Sequence, residues 1–487
     1  MEDKNAKPTE TVSQNETSKP FKLNYKRTFI IGFAFFGILL LWQVYDSWCP
    51  TFLTELFAQS LGSDSKEEVQ YLVGIIMALD NLAALIMLPI FGHLSDKTHT
   101  KIGKRMPFIL IGTLGCAITF PFIPVFFHYH QLVGTIIMMA IVIFFAMMYR
   151  NPAVALMPDI TPKPLRSKAN GIINIMGYVG GACATVLGMI FVLSTYLGTD
   201  SNNWINQTGN IWLIEAPFLL GAVLMVISAL VLFFSINENK VEKEMEPEMK
   251  RGELQAAVSD VVDDDKPMTK SNRTMLFLIL GAEFFWFMAD NGIGTFMGNY
   301  TIYYLHAKTS ALSINTIVGG VGSVIGFLVG GILAGKIGRK WTIFSGLGLS
   351  AIALSIWLIL SYAIPVSVPA DGAYNAFPIY IYVLWAIKGF GMSLVHVNSF
   401  PMVVELCSSK KIGKFTGYYY ASSMLAQTIT PCLLGLLILL PSFGFRELPV
   451  YALVCAVISI VIFAFVKSIS NKKTTFKKGL EALDSGD

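Results

Sequence analysis

The chain has 487 residues, of which 54% are hydrophobic and only 14% charged, and its mean hydropathy is +0.59. A soluble chain of this length carries about a quarter charged residues, so a soluble enzyme or a nucleic-acid-binding protein does not fit, and the net charge of +4 resides in short loops beside apolar runs. The apolar residues come in long uninterrupted blocks rather than short alternating segments, which points to an all-α polytopic membrane protein and not to a β-barrel.

Residues 1–26 are polar and rich in Thr, Ser, Asn and Lys, and read as a disordered tail with no cleavable signal peptide. Twelve apolar runs follow, at roughly 28–57, 69–94, 108–127, 132–157, 168–196, 211–236, 274–305, 311–335, 341–364, 376–404, 414–440 and 447–467. The loops after the second, fourth, eighth and tenth runs carry Lys97, Lys101, Lys104, Arg105, Lys163, Arg166, Lys168, Lys336, Arg339, Lys340, Lys410, Lys411 and Lys414, whereas the opposite loops carry only Lys66, Lys308 and Arg446. That asymmetry predicts that the basic loops and both termini are cytoplasmic, in a cell membrane. The sequon at Asn206 is then external. Residues 237–272, dense in Glu, Lys and Asp, read as a solvated linker between a first half at 27–236 and a second at 273–467. Residues 468–487 form a basic tail beside the last run, suited to anionic lipid. The six cysteines lie in or at apolar runs without metal-like spacing and read as small buried residues. No metal cluster, phosphate loop or nucleophile–base constellation suggests an enzyme, a cofactor or an ATP-driven pump.

Three features recur in register in the two halves. The first run contains Trp42-x-x-x-Asp46 and the seventh Trp286-x-x-x-Asp290. The loop from Gly92 through Asp96 to Gly103-Lys104-Arg105 has a shortened echo in Gly331-x-x-x-Gly335-x-x-Gly338-Arg339-Lys340, without the acid. The fourth run ends Asn151-Pro152 … Pro158-Asp159 and the tenth Asn398-x-x-Pro401 … Glu405. Two six-helix repeats with a long linker suit a carrier that holds its solute between the halves and opens to each side in turn.

These residues resemble the major facilitator superfamily. The first loop, Pro89-x-x-Gly92-x-x-Ser95-Asp96, six residues, then Gly103-Lys104-Arg105-x-Pro107-Phe108-Ile109, resembles the sucrose-transporter branch of the glycoside–pentoside–hexuronide:cation symporters, as does Ala155-Leu156-x-x-Asp159. The resemblance implies a fold of twelve transmembrane helices in two pseudo-symmetric six-helix bundles, a sugar substrate and a coupling cation. The sequence departs from the branch in two places. Val154 stands where plant sucrose carriers have an Arg, with Arg150 the nearest cation, and Ala84 and Leu88 stand where a melibiose-type sodium site has acids. The second departure argues against a melibiose-like sodium site, and Asp290 falls in the part of the seventh run where the sucrose branch carries an intramembrane Asp, which favours proton coupling.

Ionisable side chains inside the spans are functional candidates, because each costs at least ~2.5 kcal/mol at the bilayer centre. Asp290, Glu283 and Asp46 are the candidates for cation coupling. Helical rise puts Glu283 level with Lys388, which allows a pair between the seventh and tenth runs, and puts Asp46 and Arg150 in opposite leaflets. A sugar needs polar groups around its hydroxyls and a flat aromatic wall. Trp42, Gln43, Asp46, Arg150, Asn151, Trp286, Asn291, Lys388, His396 and Asn398 are the candidates. Asp80 remains as readily a structural residue. Gly92, Asp96, Gly103, Lys104, Arg105, Asp159, Arg166, Arg339 and Glu405 are expected to form a cytoplasmic gate, with Asp96 and its cations latching that side closed. The expected activity is proton-coupled import of a glycoside such as a disaccharide by a monomer. A same-fold carrier of a drug or organic anion, or a non-transporting membrane sensor, remains open.

Overall fold

In the computed structural model, residues 21–198, 209–260, 270–370, 373–406 and 412–467 are described. Among them are twelve helices long and apolar enough to cross a membrane. Spans 1 to 6 are Tyr25–Leu61, Gln70–Lys97, Met106–His128, Leu132–Asp159, Lys168–Leu197 and Trp212–Ser235. Spans 7 to 12 are Lys270–Tyr304, Thr309–Ile337, Arg339–Ala363, Ile379–Val404, Lys414–Ile438 and Phe445–Ala464. Several run a few residues beyond the apolar blocks, because polar caps extend them. Span 1, for example, starts after Asn24, whose side chain accepts from the Arg27 amide at 3.0 Å, and stops at Gly62 with φ 62°. The sequon at Asn206 and the basic tail after Lys467 lie outside the described residues.

The helices sort into two groups with separate cores. In the first half, Phe52 stacks on Phe127 with ring centroids 4.1 Å apart and also meets Phe218, around a span 1 that packs on spans 5 and 6. In the second half, span 7 packs on spans 11 and 12, while Gly319, Gly322, Gly326 and Gly330 bring span 8 close against span 10. Large aliphatic residues such as Ile86, Ile118, Val133 and Ile332 point outward and are more than half exposed. In water such a belt would be costly; in a bilayer it is the solvent-facing surface.

The halves meet along spans 2 and 11 and along spans 5 and 8. At the end away from the basic loops they are bonded together. Thr51 donates to Asn299 Oδ1 at 2.9 Å, and Asn299 Nδ2 donates to Thr54 and Gln70 at 2.9 and 3.0 Å. Tyr303 donates to Glu55 at 2.6 Å, and the Phe445 amide to Glu67 at 2.9 Å. Span 1 therefore meets span 7 at this outer end, whereas spans 4 and 10 make no comparable contact among the described residues. Among the described residues the molecule is thus closed at the end away from the basic loops, and spans 4 and 10 stay apart.

The charged stretch expected as solvated linker is helical from Glu238 to Asp260. One face of this linker helix is not solvated: Glu238 is 1% and Met245 7% exposed. Its composition hides this, because the docking is carried by a carboxylate and a methionine rather than by an apolar stripe.

A candidate substrate and coupling site between the halves

Each half groups an acid of its first span with a cation and a tryptophan, though not at equivalent positions: Trp42 shares span 1 with Asp46, whereas Trp385 shares span 10 with Lys388. In the first half, Asp46 lies mid-way along span 1 yet is exposed, and Asp80 of span 2 and Arg150 of span 4 are close enough to act on it electrostatically. These neighbours turn Asp46 toward spans 2 and 4 of its own half. The Arg150 guanidinium lies 5.9 Å from the Trp42 ring, and Trp42 is T-shaped against Tyr45 at 5.7 Å. The depth estimate had kept Arg150 apart from Asp46; a long side chain running along Trp42 narrows that separation. Tyr45 in turn donates to Asp80 at 2.5 Å. Gln43, half-buried, donates to Ser47 at 3.1 Å.

In the second half, Lys388 of span 10 forms an ion pair with Asp290 of span 7 and sits 5.2 Å from the Trp385 ring. Trp385 stands edge-on to Trp357 at 5.5 Å, which holds the indole in place. His396 stacks on Phe287 at 5.5 Å and is within electrostatic reach of Asp290. Asn291 is half-buried beside this pair in sequence.

Other candidates lie elsewhere. Lys388 does not pair with Glu283 but with Asp290, one to two turns further along span 7; Glu283 is wholly buried inside the second half. Trp286 is 1% exposed and belongs to the packing of that half, so it forms no aromatic wall here. Asn398 is 3% exposed and donates to Gly330 O and Leu394 O at 3.4 and 2.9 Å, which ties span 10 to span 8. Asn151 donates to Leu88 O at 2.6 Å, and a side chain at Gly92 would collide with its amide, so these two fit span 4 against span 2. For Trp286, Asn398 and Asn151, helical spacing gives the level of the residue but not which way the helix is turned. Sequence reasoning passed over Tyr45 and left Asp80 as readily a structural residue, although an acid within an apolar run was the available signal.

At the basic end, Arg105 is 5% exposed and pairs with Asp96 and, at 2.8 Å, with Asp159; its guanidinium also donates to Ser95 at 2.5 Å. Lys104 reaches Asp159 at 3.3 Å and Glu242 at 3.2 Å. Burial works against the Lys104 charge, but Asp159 and Glu242 outweigh it and hold the ammonium above its ordinary pKa. Arg166 donates to Thr161 O and Pro158 O at 3.1 and 2.9 Å and so fastens the loop rather than pairing with Asp96. Arg339 pairs with Glu405 in the second half. These pairs form within a half or, for Lys104–Glu242, between the first half and the linker helix, so in this state they join neither half to the other.

Comparison with known proteins agrees with this architecture. The D-xylose-proton symporter superposes with a TM-score of 0.61 at 16% identity, covering 91% of this chain and 99% of that one. The inward-open xylose transporter XylE from E. coli gives 0.59 at 15%, covering 95% and 98%. A POT family transporter in complex with 5-aminolevulinic acid gives 0.63 at 13%, covering 91% and 95%. At these identities the likeness is one of fold. A search of curated proteins finds no match. The profile of the family described as MFS/sugar transport protein matches residues 30–469. The chain is thus a multi-pass membrane transport protein rather than an enzyme, and it belongs to the MFS/sugar transport family of the major facilitator superfamily.

Proposed function

We propose that the protein is a proton-coupled symporter that imports a sugar or glycoside, such as a disaccharide, across the cell membrane by alternating access. The observation that carries this reading is an acid, a cation and a tryptophan grouped within each half: Asp46, Arg150 and Trp42 in the first, Asp290, Lys388 and Trp385 in the second. The indoles suit the apolar face of a pyranose, and the charged groups suit its hydroxyls. Asp290 is the coupling carboxylate. While ionised it is neutralised by Lys388; when protonated it releases Lys388 toward a substrate hydroxyl, so proton and sugar favour the same occupied state. The D-xylose-proton symporter among the structural neighbours is a sugar carrier of the same fold. With the basic loops cytoplasmic, the state described here is inward-facing, and the protein works as a monomer.

Counterflow in proteoliposomes tests the reading. Vesicles preloaded with an unlabelled disaccharide should accumulate the labelled sugar transiently, and an inward proton gradient should drive net uptake without preloading. An absence of flux across a panel of mono- and disaccharides overturns the sugar assignment. Uptake driven by sodium and indifferent to the proton gradient overturns the coupling assignment.

A further inference from the structure

The linker helix begins two residues after Ile236, where span 6 has just ended, and its first residue is Glu238. That carboxylate is buried at the start of span 3. Its oxygens accept from the amides of Lys104 at 3.1 Å, Arg105 at 3.0 and 3.1 Å, and Met106 at 3.0 Å. The first amides of a helix have no partner within it, and here no nearby side chain supplies one: Arg105 occupies the cap position without a side-chain bond, and Pro107 has no amide hydrogen to offer. Burial pushes the Glu238 carboxyl above the ordinary carboxylate range, and the three amides pull it back. The positive end of span 3 and its free amides therefore form a seat for one charge, and the linker fills it.

Two further observations show that the seat is built for this occupant. Gly103 has φ 121°, and a side chain there would run into the Glu238 carboxylate. The linker helix is also fastened on both sides of Glu238's partners. Asn239 donates to Thr100 O and Lys101 O at 2.9 and 3.0 Å, Glu242 pairs with Lys104, and Arg27 at the start of span 1 donates to Met245 Sδ at 2.9 Å. Gly252 lies against Pro162 and Pro164 of the loop after span 4.

The side chain of the residue so anchored reaches the other way. Arg105 gives its amide to Glu238 and its guanidinium to Asp96, Asp159 and Ser95. We propose that Glu238 is a positioning residue of the transport cycle: from the linker it fixes the Gly103–Arg105 turn, and so sets where the Arg105 guanidinium meets Asp96 and Asp159. The inference rests on the reading of the protein as an alternating-access carrier in which those acids belong to a gate. It makes the linker part of that gate rather than a tether. The segment that joins the two halves in sequence is then the one that holds the first half's basic loop in shape.

The test uses the full-length protein in proteoliposomes, with Gln43→Cys as a reporter between the halves in a background without the six native cysteines. Its labelling rate by a membrane-impermeant thiol reagent from the basic-loop side, the KM and maximal rate of uptake, and the melting temperature are measured for Glu238→Ala, Glu238→Gln, Gly103→Ala, Asp96→Asn and the double variant Glu238→Ala/Asp96→Asn. Glu246→Gln serves as control, because Glu246 is exposed on the linker helix and pairs with Lys250 four residues on. Glu238→Ala should change the labelling rate about tenfold in the same direction as Asp96→Asn, Gly103→Ala should mimic it, and Glu238→Gln, which keeps one acceptor, should fall between. The double variant should go no further than Asp96→Asn alone, since both act through Arg105. If Glu238→Ala is not recovered, Glu238→Gln carries the same comparison. A lowered melting temperature with unchanged labelling, or a double variant in which the two effects multiply, overturns the proposal and leaves Glu238 a structural cap. Unchanged labelling in Asp96→Asn as well overturns the gate beneath it, and absent uptake in the wild-type protein, with Gln43 and the native cysteines in place, overturns the carrier reading itself.

Discussion

Asp290 and Lys388 show at the scale of single residues how stability and function can be told apart. An unpaired charge within a bilayer-spanning core costs about 2–3 kcal/mol, and the pair between spans 7 and 10 removes that cost for both partners. Asp290→Asn leaves Lys388 without its counter-charge, so it should lower stability by about 3 kcal/mol and abolish uphill sugar accumulation. Exchange of internal for external sugar, which needs no net proton movement, should persist in part. The double variant Asp290→Asn/Lys388→Gln removes both charges and should regain most of the lost melting temperature without regaining accumulation. Thermal unfolding in detergent and uptake against a gradient check the two halves of this statement. Accumulation restored by the double variant would reduce the pair to an ion bridge with no part in coupling. The pair also marks what the sequence could reveal. Both residues were legible as intramembrane charges, and their spans as neighbours. Their pairing was not, because Glu283 and Asp290 are seven residues apart, nearly two turns, and present almost the same face. Level alone favoured Glu283, and the position of Lys388 in the folded bundle chose the other.

At the scale of elements, the outer seam is closed by neutral side chains. Thr51 and Thr54 of span 1, Gln70 of span 2 and Asn299 of span 7 are all at most 1% exposed and bonded to one another. Each such bond contributes about 1 kcal/mol, and a buried donor or acceptor left without a partner costs about 1–3 kcal/mol. Asn299→Ala strips Thr51, Thr54 and Gln70 of a shared partner, whereas an opened seam would let water satisfy them. The variant should therefore favour the outward-open arrangement about tenfold or more, read as faster labelling of Gln43→Cys from the outer side. The π-helical turn Tyr300–Tyr304 directly after Asn299 gives span 7 a local weak point at which to bend. Little of this seam could be read in advance. The twelve spans follow from block length, and the basic loops from charge, because both signals are local. Asn299, Thr54 and Gln70 are isolated neutral residues in apolar runs, and only the meeting of the halves makes them a network. The same limit explains Trp286. Four residues along a helix turn it by about 40° beyond one full circle, enough to put Asp290 toward the space between the halves and Trp286 into the core.

At the scale of the whole molecule, closure at the end away from the basic loops, with no comparable contact between spans 4 and 10 among the described residues, leaves the basic end as the accessible side. Rocking has to exchange these conditions. The seams of spans 2 with 11 and 5 with 8 lie along the flanks, so they can serve as the lines about which the halves turn. A side chain next to Asp46 should then be reachable from the basic-loop side at rest and from the outer side only after the seam opens. In inside-out vesicles, an impermeant thiol reagent should label Gln43→Cys quickly; in right-side-out vesicles, slowly. A transported sugar on the outer side should speed labelling there less than it protects the site, so its net effect is to slow labelling from both sides. Adding Asn299→Ala should narrow the difference between the two vesicle types without changing which is faster. Equal labelling from both sides in the parent protein would mean that the outer seam does not hold in a membrane. Faster labelling in right-side-out vesicles would invert the assigned topology, and with it the direction in which a proton gradient drives the sugar.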